Sequence, residues 1–445
     1  MTSTKLYCIE VSDLPSADAQ FGRDVKVNFG HAASKFHDAL EGLDLDLLNI
    51  VGAAMVADRK FRRPKSWQRH LSVTVSVGDR AFWSRASVVR KLADVLNVLT
   101  GDSWTFAFCE LGAPRTVQQV LGLGFEPEAT ILPYSGGLDS YATDRLLSAK
   151  EQRAPVLVHS GAAAAAELTL PERKTLVCGE VTLPGLDHPE SSYRTRSLQF
   201  LVFAALAAAR TGAKRVVVPE NGQGSIGISL LPLPDEPAPV GSHPALTRRL
   251  RSLLIDVWGT APIFDHVNLW NTKGFMLQQL FKAGLGDRWH HTKSCARTLA
   301  RNKGALVAPE CGACSNCVLT RLALHAAGQS FDEPARYTFS DLNAASLEAA
   351  LSPDRQSVAV TELDHDIAVG GILLHEQLAR RVDVRDNDPT FRTAVFELAR
   401  DLELSEGLVR DRVRELLAQH ASEWRAFVGA LAPTSWVASV ARGGA

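Results

Sequence analysis

Ala129-Thr130-Ile131-Leu132-Pro133-Tyr134-Ser135-Gly136-Gly137-Leu138-Asp139-Ser140 is the stretch whose reading decides the fold. A short apolar run of strand length, 129–133, ends in a turn with two glycines, and a helical pattern over 138–149 begins where the turn stops. Paired glycines let the backbone turn tightly and bring amide N–H groups against an anion. The positive end of the new helix adds to the same field. Ser135 and Ser140 supply hydroxyls, and Asp139 supplies a carboxylate for a Mg²⁺ that screens phosphates. No lysine sits inside the loop, so it is not the Gly-x-x-x-x-Gly-Lys type. Ser135, Gly136, Gly137, Leu138, Asp139 and Ser140 therefore read as a phosphate-binding loop between a strand and a helix.

Outward from this loop the chain keeps alternating. Apolar runs at 155–160, 174–181, 215–219 and 262–267 are separated by helical stretches at 192–211 and 244–257. Strands alternating with helices at this spacing predict an α/β fold with a doubly wound parallel sheet. The small-residue stretch 161–166 reads as a turn or loop, and Pro232, Pro234, Pro237 and Pro239 mark a second loop.

Further along, Cys295, Cys311, Cys314 and Cys317 make a Cys-x15-Cys-x2-Cys-x2-Cys pattern. Thiolates at such spacing can reach one tetrahedral ion, with no position left open, which points to a structural Zn²⁺. An iron–sulfur cluster uses similar spacing. His290 and His291 lie near enough in sequence to substitute as ligands. Cys8, Cys109 and Cys178 stand in apolar surroundings and read as buried core residues.

Ser-Gly-Gly-x-Asp-Ser at 135–140 resembles the PP-loop of the N-type ATP pyrophosphatases. That family cleaves ATP between its α- and β-phosphates, adenylates a carbonyl or carboxylate oxygen, and lets a nucleophile displace AMP. With Cys-Gly-x-Cys-x-x-Cys at 311–317, the chain is similar to the QueC family of 7-cyano-7-deazaguanine synthases. The resemblance covers about half of the chain, 113–330. It implies a Rossmann-like sheet of the adenine nucleotide alpha hydrolase type, with ATP, Mg²⁺ and Zn²⁺ as cofactors. It implies Cys295, Cys311, Cys314 and Cys317 as zinc ligands, Asp139, Lys273 and Arg196 as catalytic residues, and Arg321 as the arginine after the cysteines. Lys273 stands in Asn-Thr-Lys-Gly, and Arg196 precedes the Glu220-Asn221-Gly222 segment. The activity implied is an AMP-forming carbon–nitrogen ligase that adenylates 7-carboxy-7-deazaguanine and passes it to an amine. Three departures bear on the acceptor: the first cysteine spacing is longer, Arg321 sits one residue late, and Phe275 stands where relatives often carry glutamate. A tRNA-modifying PP-loop enzyme with an iron–sulfur cluster and an inert nucleotide-binding scaffold are the rival readings.

The flanks add two parts. Residues 1–112 read as an α+β domain, with strands at 5–11, 25–29, 71–77 and 105–110 and helices at 32–56 and 84–99. Ala57-Asp58-Arg59, Arg63, Trp67, Arg69 and Leu99-Thr100-Gly101-Asp102-Ser103-Trp104 resemble the N-terminal domain of long QueC-like proteins of bacterial anti-phage systems, the QatC type. This implies a partner protein from the same defence operon beside the 7-deazaguanine substrate. Residues 331–445 read as a helical domain, with apolar periodicity over 367–381, 389–404 and 405–431 and Ser405 as an N-cap. The middle domain is then 113–330.

The formal net charge of −1 provides no global pull toward nucleic acid or an anionic membrane. Arg59, Lys60, Arg62, Arg63, Lys65 and Arg69, with Phe61 and Trp67 interleaved, read as a solvated loop rather than a nucleic-acid surface. No apolar run reaches the ~18 residues a membrane span needs. The expectation is a cytoplasmic protein.

Overall fold

A computed structural model describes residues 5–29, 40, 42–112, 129–160, 176–233, 236–295 and 310–443. In chain order its strands are β1 (Leu6–Ser12), β2 (Ala19–Gln20), β3 (Lys26–Asn28), β4 (His70–Val77), β5 (Ser103–Glu110), β6 (Thr130–Pro133), β7 (Val156–Ser160), β8 (Leu176–Thr182), β9 (Arg215–Val217) and β10 (Ile263–Asp265). Its helices are α1 (Gly42–Lys60), α2 (Arg80–Trp83), α3 (Ala86–Thr100), α4 (Leu138–Glu151), α5 (Arg196–Thr211), α6 (Pro244–Trp258), α7 (Lys273–Lys282), α8 (Ser315–Ala326), α9 (Glu362–Arg380), α10 (Pro389–Leu402), α11 (Glu406–Ala430) and α12 (Trp436–Ala441). Two compact units result: Met1–Ser135 with Leu147–Pro219 and Leu233–Val267, and Gly136–Leu146 with Glu220–Pro232 and Asn268–Ala445.

The first unit is α/β. Its four-stranded sheet, β2-β1-β4-β5, is parallel throughout. Leu71, Val73, Val75 and Val77 of β4 are buried while Ser72 and Thr74 are half-buried, the period-two signature of the sequence. The six-stranded sheet runs β10-β9-β6-β7-β8-β3, with only β3 antiparallel. Helix α5 buries Leu198, Leu201, Val202, Phe203 and the alanines 204, 205, 207 and 208. A helix apolar on nearly every side belongs in the interior. It packs against β6 to β9 and against α1, and α1 in turn covers β1, β3 and β4. The two sheets thus share one helical filling, while α3 packs on α6.

In this sheet β6 has β9 on one side and β7 on the other, so the strand order turns back at β6. Parallel sheets bind ligands beyond the carboxyl ends of strands at such a switch point. The chain leaves β6 there into the glycine turn.

The basic stretch before β4 is not a solvated loop. Arg69 is fully buried, with its guanidinium 2.7 Å from both Asp58 and Asp102. Arg63 lies 3.0 Å from Asp58 and 2.8 Å from Asp102. The Arg63 and Arg194 guanidinium carbons lie over the Trp67 ring, 4.4 and 4.7 Å from its centre. Two carboxylates more than thirty residues apart in sequence consume these arginines, a pairing that local composition does not reveal. Arg62 and Lys65 remain exposed.

Cys8 is exposed and Cys109 half-buried, contrary to the core reading, because each sits on the strand face opposite its buried neighbours. The side chain of Cys178 lies outside the described residues, as do residues 32–39 and 41 of the expected first helix, residues 174–175, the stretch 161–166, Pro234 and the last two residues.

The second unit carries the helical C-terminal region. Thr361 opens α9 with a reciprocal capping box to Asp364, Asp388 caps α10, and Ser405 caps α11 by accepting from the Leu408 N–H. Helix α8 packs on α7, α9 and α11, and α11 on α9 and α10. Ala313, Val318, Leu322, Ile372, Trp424 and Phe427 form one apolar core of this unit. Among the described residues no helix is long and apolar enough to cross a membrane.

Candidate functional site

The turn after β6 is built around Gly136, whose φ is +74°. That left-handed conformation costs a residue with a Cβ ~1–2 kcal/mol. No heavy atom lies within 4 Å of the place a Cβ would occupy, so conformation, and not crowding, calls for glycine. The Ser140 hydroxyl donates to the Gly137 carbonyl at 2.9 Å, and the Tyr141 N–H reaches the same oxygen at 3.0 Å. Ser135 belongs to the first unit; Gly136, Gly137, Leu138, Asp139 and Ser140 belong to the second. Within the second unit the Lys293 N–H donates to the Gly136 carbonyl at 3.1 Å. The Ser294 hydroxyl accepts from the Leu138 N–H at 3.4 Å.

Asp139, in the first turn of α4, is the centre of a charged cluster. Its Oδ2 lies 2.8 Å from Lys273 Nζ, with side-chain exposures of 15% and 3%. Its Oδ1 accepts from Asn221 Nδ2 at 2.7 Å, and the same amide donates to Glu220 Oε1 at 2.9 Å. Burial, and then repulsion from Asp139, push the Glu220 carboxyl up to about 8 against the pull of Lys273. One ammonium thus faces two carboxyl groups. Along the chain these residues follow β6, β9 and β10, three neighbours in the sheet.

Gly222 and Gly224 keep the Glu220–Gly224 turn tight. A Cβ on Gly224 would strike the Glu220 carboxylate, and one on Gly222 would strike the Leu269 carbonyl. Residues Gln223–Gly227 then wind as a single π-helical turn, a local form frequent at functional sites. Gln223 Oε1 accepts the backbone N–H of Lys273 at 2.8 Å. Lys273 is the first residue of α7, whose N-cap Thr272 accepts from Phe275 N–H. Thr272 also donates to Glu423 Oε1 of α11 at 2.7 Å. Desolvation, as the largest effect, raises the Glu423 carboxyl.

The four cysteines converge as the spacing predicts: their sulfurs all lie within 4.8 Å of one another. Cys295 and Cys314 sulfurs are 4.0 Å apart, and those of Cys311 and Cys317 are 3.8 Å apart. Bonds of ~2.3 Å to a tetrahedral ion put sulfurs ~3.8 Å apart, so the set fits a single metal ion such as zinc. Neither His290 nor His291 joins the cluster among the described residues. The Cys311 N–H points at the Cys295 sulfur at 3.3 Å, and the Cys314 N–H at the Cys311 sulfur at 3.3 Å. Glu310 accepts from the Ser294 and Cys295 N–H groups at 2.6 and 2.8 Å and binds Arg336 at 2.7 Å. Arg321, fully buried, donates to the carbonyls of Phe331, Gly312, Phe339 and Ser340 and pairs with Asp332. It braces the loop of Cys311 to Cys314.

Arg196 opens α5 in the first unit, exposed, with its guanidinium 5.6 Å from the Phe200 ring centre. In the sequence Glu220-Asn221 is a landmark after Arg196 with no role attached. Gln223, Glu310, His420 and Glu423 carry no sequence signal of their own, because the partners that define them are remote in the chain.

No family model matches this chain, and no curated protein matches it.

Proposed function

We propose that this protein is a QueC-like, AMP-forming carbon–nitrogen ligase that adenylates 7-carboxy-7-deazaguanine with ATP. The observation that carries the reading is the Asp139–Lys273 pair, 2.8 Å apart and flanked by Asn221 and Glu220, at the start of the helix that follows the glycine turn. A buried ammonium paired with the first turn of the helix that follows a left-handed glycine suits a transferring phosphoryl group. On this reading the six-stranded sheet is Rossmann-like, and the amides of residues 135–139 grip the pyrophosphate. Asp139, with Glu220 beside it, would hold Mg²⁺, which supplies charge neutralisation on the phosphates.

The carboxylate oxygen of the substrate attacks the α-phosphorus, the bond to pyrophosphate breaks, and Lys273 steadies the charge as it develops. Arg196 is proposed as a second cation for that charge. An amine then attacks the acyl carbon, loses a proton and expels AMP. Ammonia gives an amide and, by a further dehydration, 7-cyano-7-deazaguanine; an amino group of a partner protein from a defence operon gives a protein–deazaguanine amide. The cysteine set would hold Zn²⁺ as a structural ion, and the sulfur separations favour one ion over an iron–sulfur cluster. Work in the cytoplasm follows from the same reading.

The test is ATP-dependent AMP release with 7-carboxy-7-deazaguanine and ammonia. Asp139→Asn and Lys273→Ala each lower the rate by about 10²–10³ if their charges serve the transition state. Turnover unchanged in both variants contradicts the assignment.

A further inference from the structure

Lys273 is held from behind by a chain of hydrogen bonds whose donors and acceptors can be ordered without ambiguity. His420 Nε2 lies 3.0 Å from the carbonyl oxygen of His375. A carbonyl only accepts, so Nε2 carries the proton. His420 is buried and neutral, its pKa lowered to about 3 by desolvation first and by His375 second. Its Nδ1 must then accept, and the group facing it at 2.8 Å is the Gln223 amide nitrogen. That fixes the orientation of the Gln223 side chain: Nε2 toward His420, Oε1 toward the Lys273 N–H.

The chain ends in α8, where His375 Nε2 donates to the Ser315 carbonyl at 3.0 Å. Three residues along α11 from His420, Glu423 takes the Thr272 hydroxyl, and Gly274 leaves no room for a Cβ against that carboxylate. Residues three apart share one helix face. One face of α11 therefore grips the first turn of α7 at Gln223–Lys273 and at Thr272.

We infer that His420 is a positioning residue: acting through Gln223, it sets the backbone of Lys273 so that the ammonium meets Asp139, and the C-terminal helices are part of the catalytic apparatus. The catalytic half of this inference rests on the ligase reading of Lys273; the mechanical half does not. First-turn N–H groups of a helix have no partner inside it, so the Gln223 oxygen supplies one the helix lacks. A displacement of the lysine by about 1 Å is enough to cost on the order of 10²-fold in rate.

Two polar substitutions separate positioning from mere packing. In full-length protein, His420→Asn keeps an oxygen near the Nδ1 position and so keeps a partner for Gln223. His420→Gln instead keeps a donor near the Nε2 position, toward the His375 carbonyl. The inference predicts that His420→Asn stays within about threefold of the original kcat for AMP release, while His420→Gln and His420→Ala lose about 10- to 100-fold with the KM for ATP within about twofold. Hydrogen exchange at the Lys273 amide is read in parallel by NMR: slow in the original protein and His420→Asn, faster in the other two. Gln223→Leu, which leaves His420 in place, loses the same protection. Equal behaviour of His420→Asn and His420→Gln, or Lys273 protection unchanged in Gln223→Leu, overturns the inference. If the unaltered protein makes no AMP, the ligase reading falls, and amide exchange alone decides the positioning.

Discussion

Lys293 and Gly136 are joined by a backbone hydrogen bond of 3.1 Å, and Lys293 is two residues from the metal-ligand candidate Cys295. One short segment thus serves both the glycine turn and the cysteine cluster. Glu310, next to Cys311, ties the segment down by accepting the Ser294 and Cys295 N–H groups. The cluster and the glycine turn are tied to one segment, and a metal held by the cysteines would be coupled to the turn.

On the proposed reading, in which the cysteines hold Zn²⁺ and the glycine turn holds ATP, treatment with a chelator weakens ATP binding and lowers the thermal midpoint, since metal binding and folding are linked. Calorimetry with ATP and Mg²⁺, beside a metal assay, reads both. Full ATP affinity in folded, metal-free protein contradicts the coupling.

Gly136→Ala carries a backbone penalty and no steric one, because space is open where the methyl would stand. The expected loss of stability is ~1–2 kcal/mol, measured by urea unfolding. A loss well beyond that range means the turn is more crowded than the geometry shows; no loss means its φ is not held at +74°.

The Glu220 carboxyl, pushed up to about 8, makes a signed prediction. Between an unfolded value of ~4.3 and about 8 the native state keeps a proton that the unfolded chain has released. Its contribution to stability therefore falls as pH rises through that window and levels off above it. Glu220→Gln removes this fall, so urea midpoints from about pH 5 to about pH 8 should slope less in the variant. Identical slopes would contradict the shift.

Arg69→Leu leaves Asp58 and Asp102 buried without their principal cation, with Arg63 left to share. Breaking a buried pair this way costs ~3–5 kcal/mol. Urea unfolding checks it, and a change under about 1 kcal/mol would place these carboxylates in a wetter setting than they occupy.

Much of the frame was legible because periodicity and turn chemistry are local. The strands at 71–77 and 155–160, the helix opening at Pro244 and the cap at Ser405 all appear within a residue or two of expectation. The cysteine convergence was legible for the same reason. What was not legible depends on distance along the chain. Asp58 and Asp102 reach Arg69 across the α1–β4 turn and β5, so the basic stretch read as solvated. Gln223 meets His420 across 197 residues, and neither stands in a motif. Helices α7 and α8 went unread because their glycine, lysine and cysteine content advertises chemistry before it advertises a helix. Sequence pattern carries elements well; it does not carry which buried polar group answers which.

The central claim is adenylation at the Asp139–Lys273 site. The most direct measurement is mass spectrometry of the products after incubating the metal-loaded protein with ATP, Mg²⁺, 7-carboxy-7-deazaguanine and ammonia, with and without a protein encoded beside it. The account predicts AMP and pyrophosphate together with a deazaguanine amide or nitrile, or with a partner protein heavier by the deazaguanine acyl group, and predicts that Lys273→Ala forms all of them about 10²–10³-fold more slowly. Absence of AMP from every one of these mixtures, with metal bound and the fold intact, would contradict it.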